Sequence, residues 1–128
     1  VTETETTKEA LVVLKETREL LSDPSRWTQG AFARDKAGNV VYTSSPVAHS
    51  FCAHGAILHI IETKHSGTVE LRDKVWSTLG KLLGPNRSLI SYNDGYVVNG
   101  AGAPTGYDDV IQLFDAGISV LEAEVSHG

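Results

Sequence analysis

The stretch AHSFCAHGAILHII sets the chain's single cysteine, Cys52, among three histidines. A thiol beside an imidazole is the smallest activated nucleophile, because the base takes the thiol proton and leaves a thiolate near neutral pH. On a helix turning 100° per residue, His49, Cys52 and His59 fall within about 80° of one another, and His54 points elsewhere. The segment Ser91-Tyr92-Asn93-Asp94 could supply the third member, with Asn93 or Asp94 orienting the base. This reads as a cysteine-dependent hydrolase or transferase. Against it, a buried cysteine is a small hydrophobe, and a reactive one favours the electropositive start of a helix, whereas the pattern places Cys52 two turns in.

The same residues are acceptable zinc ligands, but a structural site needs four converging donors, and only His65 and His127 stand in reserve. No HExxH, CxxC or CxxCH pattern occurs, so neither a metal nor a cofactor is expected. The glycine-rich run NGAGAPTGYDD could cradle a phosphate with backbone amides. However, no βαβ strand precedes it, no Lys follows its last Gly, and Asp108 and Asp109 stand where an anion would sit. A calcium site from Asn93, Asp94, Asp108 and Asp109 lacks EF-hand spacing. A last polar group, Trp27-Thr28-Gln29-Gly30 together with Ser91 to Asp94, either pins a long loop to a hairpin or lines a pocket.

These residues must be carried by few elements, since 128 residues with 41% apolar content suffice for one core. A single domain over 1–128 is expected, with 1–5 as a flexible lead. One thiol allows no intrachain disulfide, which suits a reducing cytoplasm. The N-terminal VTETETTKEALVVLKE lacks signal-peptide character, and the apolar-leaning run Val47 to Ile61 is too short to span a membrane.

Hydrophobic periodicity predicts an α+β fold of four helices and one hairpin. The first helix opens on a Thr6/Glu9 capping box, uses Leu11, Val13, Leu14, Leu20 and Leu21, and stops at Ser22-Asp23-Pro24. Residues 30–33 and 40–42 form a hairpin across Asp35 to Asn39. The second helix, over about 46–62, opens at Ser45-Pro46; its uncharged circumference makes it the central, buried one. The third runs from Val69 to Leu83, between Thr68 as cap and Gly84-Pro85 as stop. The fourth runs from Tyr107 to Val125 with Val110, Phe114, Gly117, Ile118 and Leu121 inward. The stretch between the last two, including an edge strand at Tyr96 to Val98 as one reading, is long enough to suggest function.

The order RWTQGAFARDKAGNVV, FCAHGAI, SYND and DDVIQLFDAGISVLE resembles a group of short bacterial and phage-encoded proteins forming a domain of unknown function. The resemblance spans Leu11 to Leu121 and is carried by W-x-Q-G-A-x-A-R-D (Trp27, Gly30, Ala31, Arg34, Asp35), C-x-x-G-A (Cys52, Gly55, Ala56), N-D (Asn93, Asp94) and Asp115. The chain departs from that pattern at Tyr92, where Trp is more usual, and in a longer insert from Gly95 to Gly106. The resemblance implies one compact domain of bacterial or phage origin and no particular reaction.

Charge separates the function classes further. Residues 1–87 hold all 11 Lys and Arg and a net +1, while 88–128 hold no base and six acids, Asp94, Asp108, Asp109, Asp115, Glu122 and Glu124. A purely acidic third repels phosphate backbones, so nucleic acid is not an expected partner. The leading expectation is a non-catalytic interaction domain meeting a protein partner, one of basic character, through this third and the glycine-rich loop. Trp27, Asp94, Asp108 and Asp109 are its candidate binding residues, and self-association into a homodimer stays open.

Overall fold

A computed structural model describes residues 2–85, 87–95 and 105–127 of the chain. The expected edge strand and most of the insert lie outside them. The fold is α+β, with five α-helices among the described residues: α1 (Glu3–Leu20), α2 (Ala53–Lys64), α3 (Val69–Leu83), α4 (Leu89–Asp94) and α5 (Tyr107–His127). Two short antiparallel strands, β1 (Ala33–Arg34) and β2 (Ser50–Phe51), pair Ala33 with Phe51 and Arg34 with Ser50.

Helix α1 starts one turn before the expected box. Thr2 is its cap, with Oγ1 accepting from Glu5 N at 3.1 Å, and Glu3 and Glu5 sit in the first turn, where they complement the helix dipole. Thr2 and Glu5 have the spacing read at Thr6 and Glu9, and the lead expected to be flexible is helical from Glu3. Inward-facing Ala10, Val13 and Leu14 are fully buried, and α1 packs on α2, α3 and α5. Gly117 of α5 marks where three helices converge: a Cβ there would lie 2.9 Å from Leu79 Cδ2 and 3.1 Å from Leu14 Cδ1. Helix α3 has the expected bounds, with Thr68 Oγ1 accepting from Leu71 N and Gly84 ending it at φ 90°.

Two expected elements are reset. The Asp35 turn forms, with Oδ1 accepting from the amides of Ala37 and Asn39 and Gly38 at φ 89°. The returning chain then makes only an isolated Arg34/Val40 bridge, and the strand beside β1 is 50–51 rather than 40–42. Val40 and Tyr42 are 67% and 86% exposed, so no core holds them against the sheet. Residues 46–52 are not helical either. Ser45 and Pro46 make a single turn, with Ala48 N donating to Ser45 O, before His49 N donates to Arg34 O at 2.8 Å and the chain enters β2. An uncharged apolar run fits a buried strand as well as a buried helix, and here it is one followed by the other. The helix expected over 46–62 therefore begins at Ala53, burying Ala56, Ile57, Ile60 and Ile61. The additional helix, α4, is a short element that Ser88 caps and Gly95 ends in the left-handed region at φ 78°.

Candidate functional site

The site is built around the start of α2. Because that helix begins at Ala53, Cys52 is its cap, and Sγ accepts from Gly55 N at 3.2 Å. Gly55 follows from the packing: a Cβ there would lie 1.9 Å from Phe32 O, so only glycine lets α2 meet the backbone entering β1. Asn93, at the far end of α4, closes the joint. Its Oδ1 accepts from Ala53 N at 2.8 Å and from Trp27 Nε1 at 2.6 Å. Its Nδ2 donates to Thr28 O and to Asp94 Oδ1, both at 3.0 Å. One fully buried amide thus uses both donors and both lone pairs, and ties three separate segments together.

The neighbouring motif residues serve the same joint. Gln29 Nε2 donates to Asn93 O at 3.1 Å, and Gly30 N donates to Asp94 Oδ1 at 3.1 Å. Arg34 donates to Thr28 Oγ1, Gln29 O and Gly38 O, which stitches the run after Trp27 to the Asp35 turn. Trp27 packs edge-on against Tyr107 at 5.7 Å, and the Tyr107 hydroxyl donates to the carbonyls of Leu21 and Ser22 at the end of α1.

The three residues proposed for nucleophilic chemistry are arranged differently from the helical wheel. His49 precedes β2 and Cys52 is extended, so the 100° spacing does not apply between them. His59 Nδ1 donates to Thr43 O at 2.6 Å, and its ring packs against Phe51 at 4.6 Å. Neither His49 nor His59 hydrogen-bonds to Cys52 Sγ, whose partner is Gly55 N. Burial, with help from the Asp94 carboxylate, pushes the thiol above its ordinary pKa, although the amides of Gly55 and His54 pull the other way. Cys52 and Asp94 do share one shallow pocket of about 300 Å³, completed by Gly30, Ala31, Phe32 and Ile90.

His54, set aside by the wheel, packs against two aromatic rings. It stacks on Phe32 at 5.1 Å and lies 5.1 Å from Trp76, whose Nε1 donates to His54 Nδ1 at 3.3 Å. Burial lowers its pKa, and the accepting Nδ1 fixes the neutral ring with its proton on Nε2. No sequence spacing links Phe32, His54 and Trp76.

Of the residues proposed for binding, Trp27, Asp94 and Asp109 are linked through Asn93, Tyr92 and Tyr107. Trp27 reaches the Asn93-Asp94 pair and Tyr107; Gly95 approaches Thr105 so closely that a Cβ on it would be 2.8 Å from Thr105 O; and Tyr92 OH donates to Asp109 O at 3.4 Å. Asp109 Oδ2 accepts from Gly106 N at 2.9 Å and so caps α5, while Asp108 is exposed. The rest of the acidic third is paired within the fold: Asp115 with Arg18 at 2.9 Å, Glu122 with Lys15 at 3.5 Å and Glu124 with Lys74 at 3.0 Å.

Among the described residues no group of three or more His, Cys, Asp or Glu is placed to hold a metal ion, and no helix is long and apolar enough to cross a membrane. None of their buried side-chain nitrogens or oxygens lacks a hydrogen-bond partner. No curated protein and no solved structure matches the chain. The chain does match, over residues 5–120, the Family of unknown function (DUF6197), and it belongs to that family.

Proposed function

We propose that the protein is a non-catalytic interaction domain, an accessory protein of bacterial or phage origin working in the cytoplasm, that meets a basic protein segment at the Asp94/Asp108/Asp109 corner. The observation that carries this reading is that the polar groups resembling catalytic machinery are already used within the fold. Cys52 caps α2, Asn93 spends all four of its hydrogen bonds on Trp27, Thr28, Ala53 and Asp94, and the thiol is shifted away from thiolate. What is left facing solvent in this part of the chain is the exposed Asp108 carboxylate, together with the partly exposed apolar side chains Ile90 and Phe32, at 38% and 43%, which line one pocket with Asp94. Carboxylates together with apolar surface favour a partner with basic and apolar character. Most other acids of this third already face Lys15, Arg18 or Lys74, so the contact surface is this corner rather than the whole of α5.

Asp108→Lys tests the reading without touching a bond of the fold. The tagged wild-type chain should retain a partner in a pull-down at low salt and release it as salt rises. Asp108→Lys, with an unchanged circular dichroism spectrum, should retain less of it. Equal retention by both chains, or retention indifferent to salt, would remove this surface from consideration. Light scattering at two concentrations identifies a second copy as the partner.

A further inference from the structure

A different cluster, outside this corner, joins the far end of α2 to α1. His65 follows the last residue of α2, and its side chain is 10% exposed. Nδ1 lies 3.0 Å from Glu9 Oε2 and Nε2 lies 2.7 Å from Glu16 Oε1, so both ring nitrogens face carboxylates of α1. An ionised carboxylate only accepts hydrogen bonds, and a neutral imidazole has one N–H and one lone pair. Both contacts are satisfied together only by the imidazolium, whose two N–H groups each donate to an anion in short, charge-assisted bonds. Glu9 and Glu16 stand two turns apart on one face of α1, about 10 Å along its axis, so their side chains reach the ring from either side.

We propose that His65 is a pH-operated latch, which as the imidazolium fastens the C-terminal end of α2 and the turn after it to α1, and which lets go when the ring loses its proton. On deprotonation one nitrogen turns a lone pair toward a carboxylate at hydrogen-bond distance, and that contact becomes repulsive. The other charges at this junction do not replace it. Lys64, on the same helix, lies 3.5 Å from Glu16 Oε2 and leaves Glu9 alone. Arg72 of α3 donates to Gly67 O in the turn after α2.

Burial works against the charged ring, but the hydrogen bonds and charges of Glu16 and Glu9 outweigh it and raise the His65 pKa above the ordinary histidine value. A group raised in the folded state stabilises fully below its unfolded pKa, and this contribution disappears as pH rises through the folded one. The latch is therefore closed below the ordinary histidine value of about 6.5 and opens as pH rises through the raised one.

Proton NMR of the full chain reads the ring directly. The His65 Cε1 proton should titrate above the ordinary histidine value, and in the Glu9→Gln/Glu16→Gln double variant the midpoint should fall. Thermal melting from about pH 6 to pH 9 should show the wild-type losing its advantage over His65→Gln as the ring titrates. Amide exchange at Thr63 to Thr68, corrected for its intrinsic pH dependence, should rise over the same interval in the wild-type chain. A wild-type His65 titrating at or below the ordinary value, or melting curves of wild-type and His65→Gln running parallel across the range, would overturn the latch. Should His65→Gln fail to fold, the ring titration in the wild-type and the double variant decides alone.

Discussion

Removing the Asn93 side chain should unfasten the joint between α2, α4 and the segment after Trp27. Asn93→Ala leaves three groups without their partner: the indole N–H of Trp27, the Ala53 amide at the start of α2, and Thr28 O. Ala53 is fully buried, so its amide bears the full desolvation cost of about 1–3 kcal/mol, while half-buried Trp27 can turn partly toward water and adds about 1 kcal/mol. With a small cavity included, the loss is about 3–4 kcal/mol, or a fall in melting temperature of roughly 10–15 °C for a domain of this size. Urea unfolding followed by circular dichroism measures it, and Asn93→Asp separates hydrogen bonding from packing. That variant keeps the shape and the accepting oxygen, but sets a second oxygen against Thr28 O and the Asp94 carboxylate, both 3.0 Å from the present Nδ2. Burial and the like charge raise the introduced carboxyl's folded pKa. The variant is therefore most stable below the unfolded carboxyl value and loses stability as pH rises through the folded one, a trend that Asn93→Ala lacks. A loss under about 1 kcal/mol for Asn93→Ala, or parallel pH profiles for the two variants, would refute this account of the joint.

Two other substitutions probe neighbouring parts of the same joint. Gly55→Ala brings a Cβ to 1.9 Å from Phe32 O, a backbone atom that cannot rotate away, so it should cost about 3 kcal/mol or more in urea unfolding despite alanine's higher helix propensity; a stabilised variant would contradict the packing. Cys52→Ser keeps an accepting side chain for Gly55 N and should stay within about 1 kcal/mol of wild-type, and the native thiol should react with iodoacetamide far more slowly than the urea-unfolded one. Rapid native alkylation already at pH 6 would instead favour the cysteine-dependent reading.

The elements legible in the sequence are those whose ends are set by local chemistry. Thr68 and Gly84 bound α3 because a hydroxyl cap and a positive-φ glycine act within a few residues of the helix they terminate. The Asp35 turn forms for the same local reason. The start of α2 is not legible, because what keeps residues 49–51 extended is pairing with Ala33 and Arg34, far away along the chain. Misplacing that start also moved Cys52 from a cap to a helix interior and created a Cys-His face that the fold does not make. Likewise, Asn93 is legible as a polar residue early in the long stretch before the last helix, but its link to Trp27 spans 66 residues and is set by tertiary packing alone. The acidic third shows the same limit: its charge is real, yet Lys15, Arg18 and Lys74, which face half of it, belong to helices elsewhere in the sequence.

Most of the residues singled out as motifs in the sequence have a common physical role once they are placed. Trp27, Arg34, Asp35, Gly55, Asn93 and Asp94 each hold or permit a contact between the start of α2, the end of α4 and the Asp35 turn. Asp115, the member outside that joint, pairs α5 with Arg18 of α1. A set of residues that must meet simultaneously constrains a sequence whether or not any of them touches a ligand. These side chains are already used by the fold, and a binding function has to be carried by side chains that the joint leaves free. Asp108 satisfies this requirement: it is exposed and adjoins the joint through Tyr107 and Asp109. Changing it can alter recognition without disturbing the bonds that position the corner, whereas changing Asn93 or Gly55 would disturb both together.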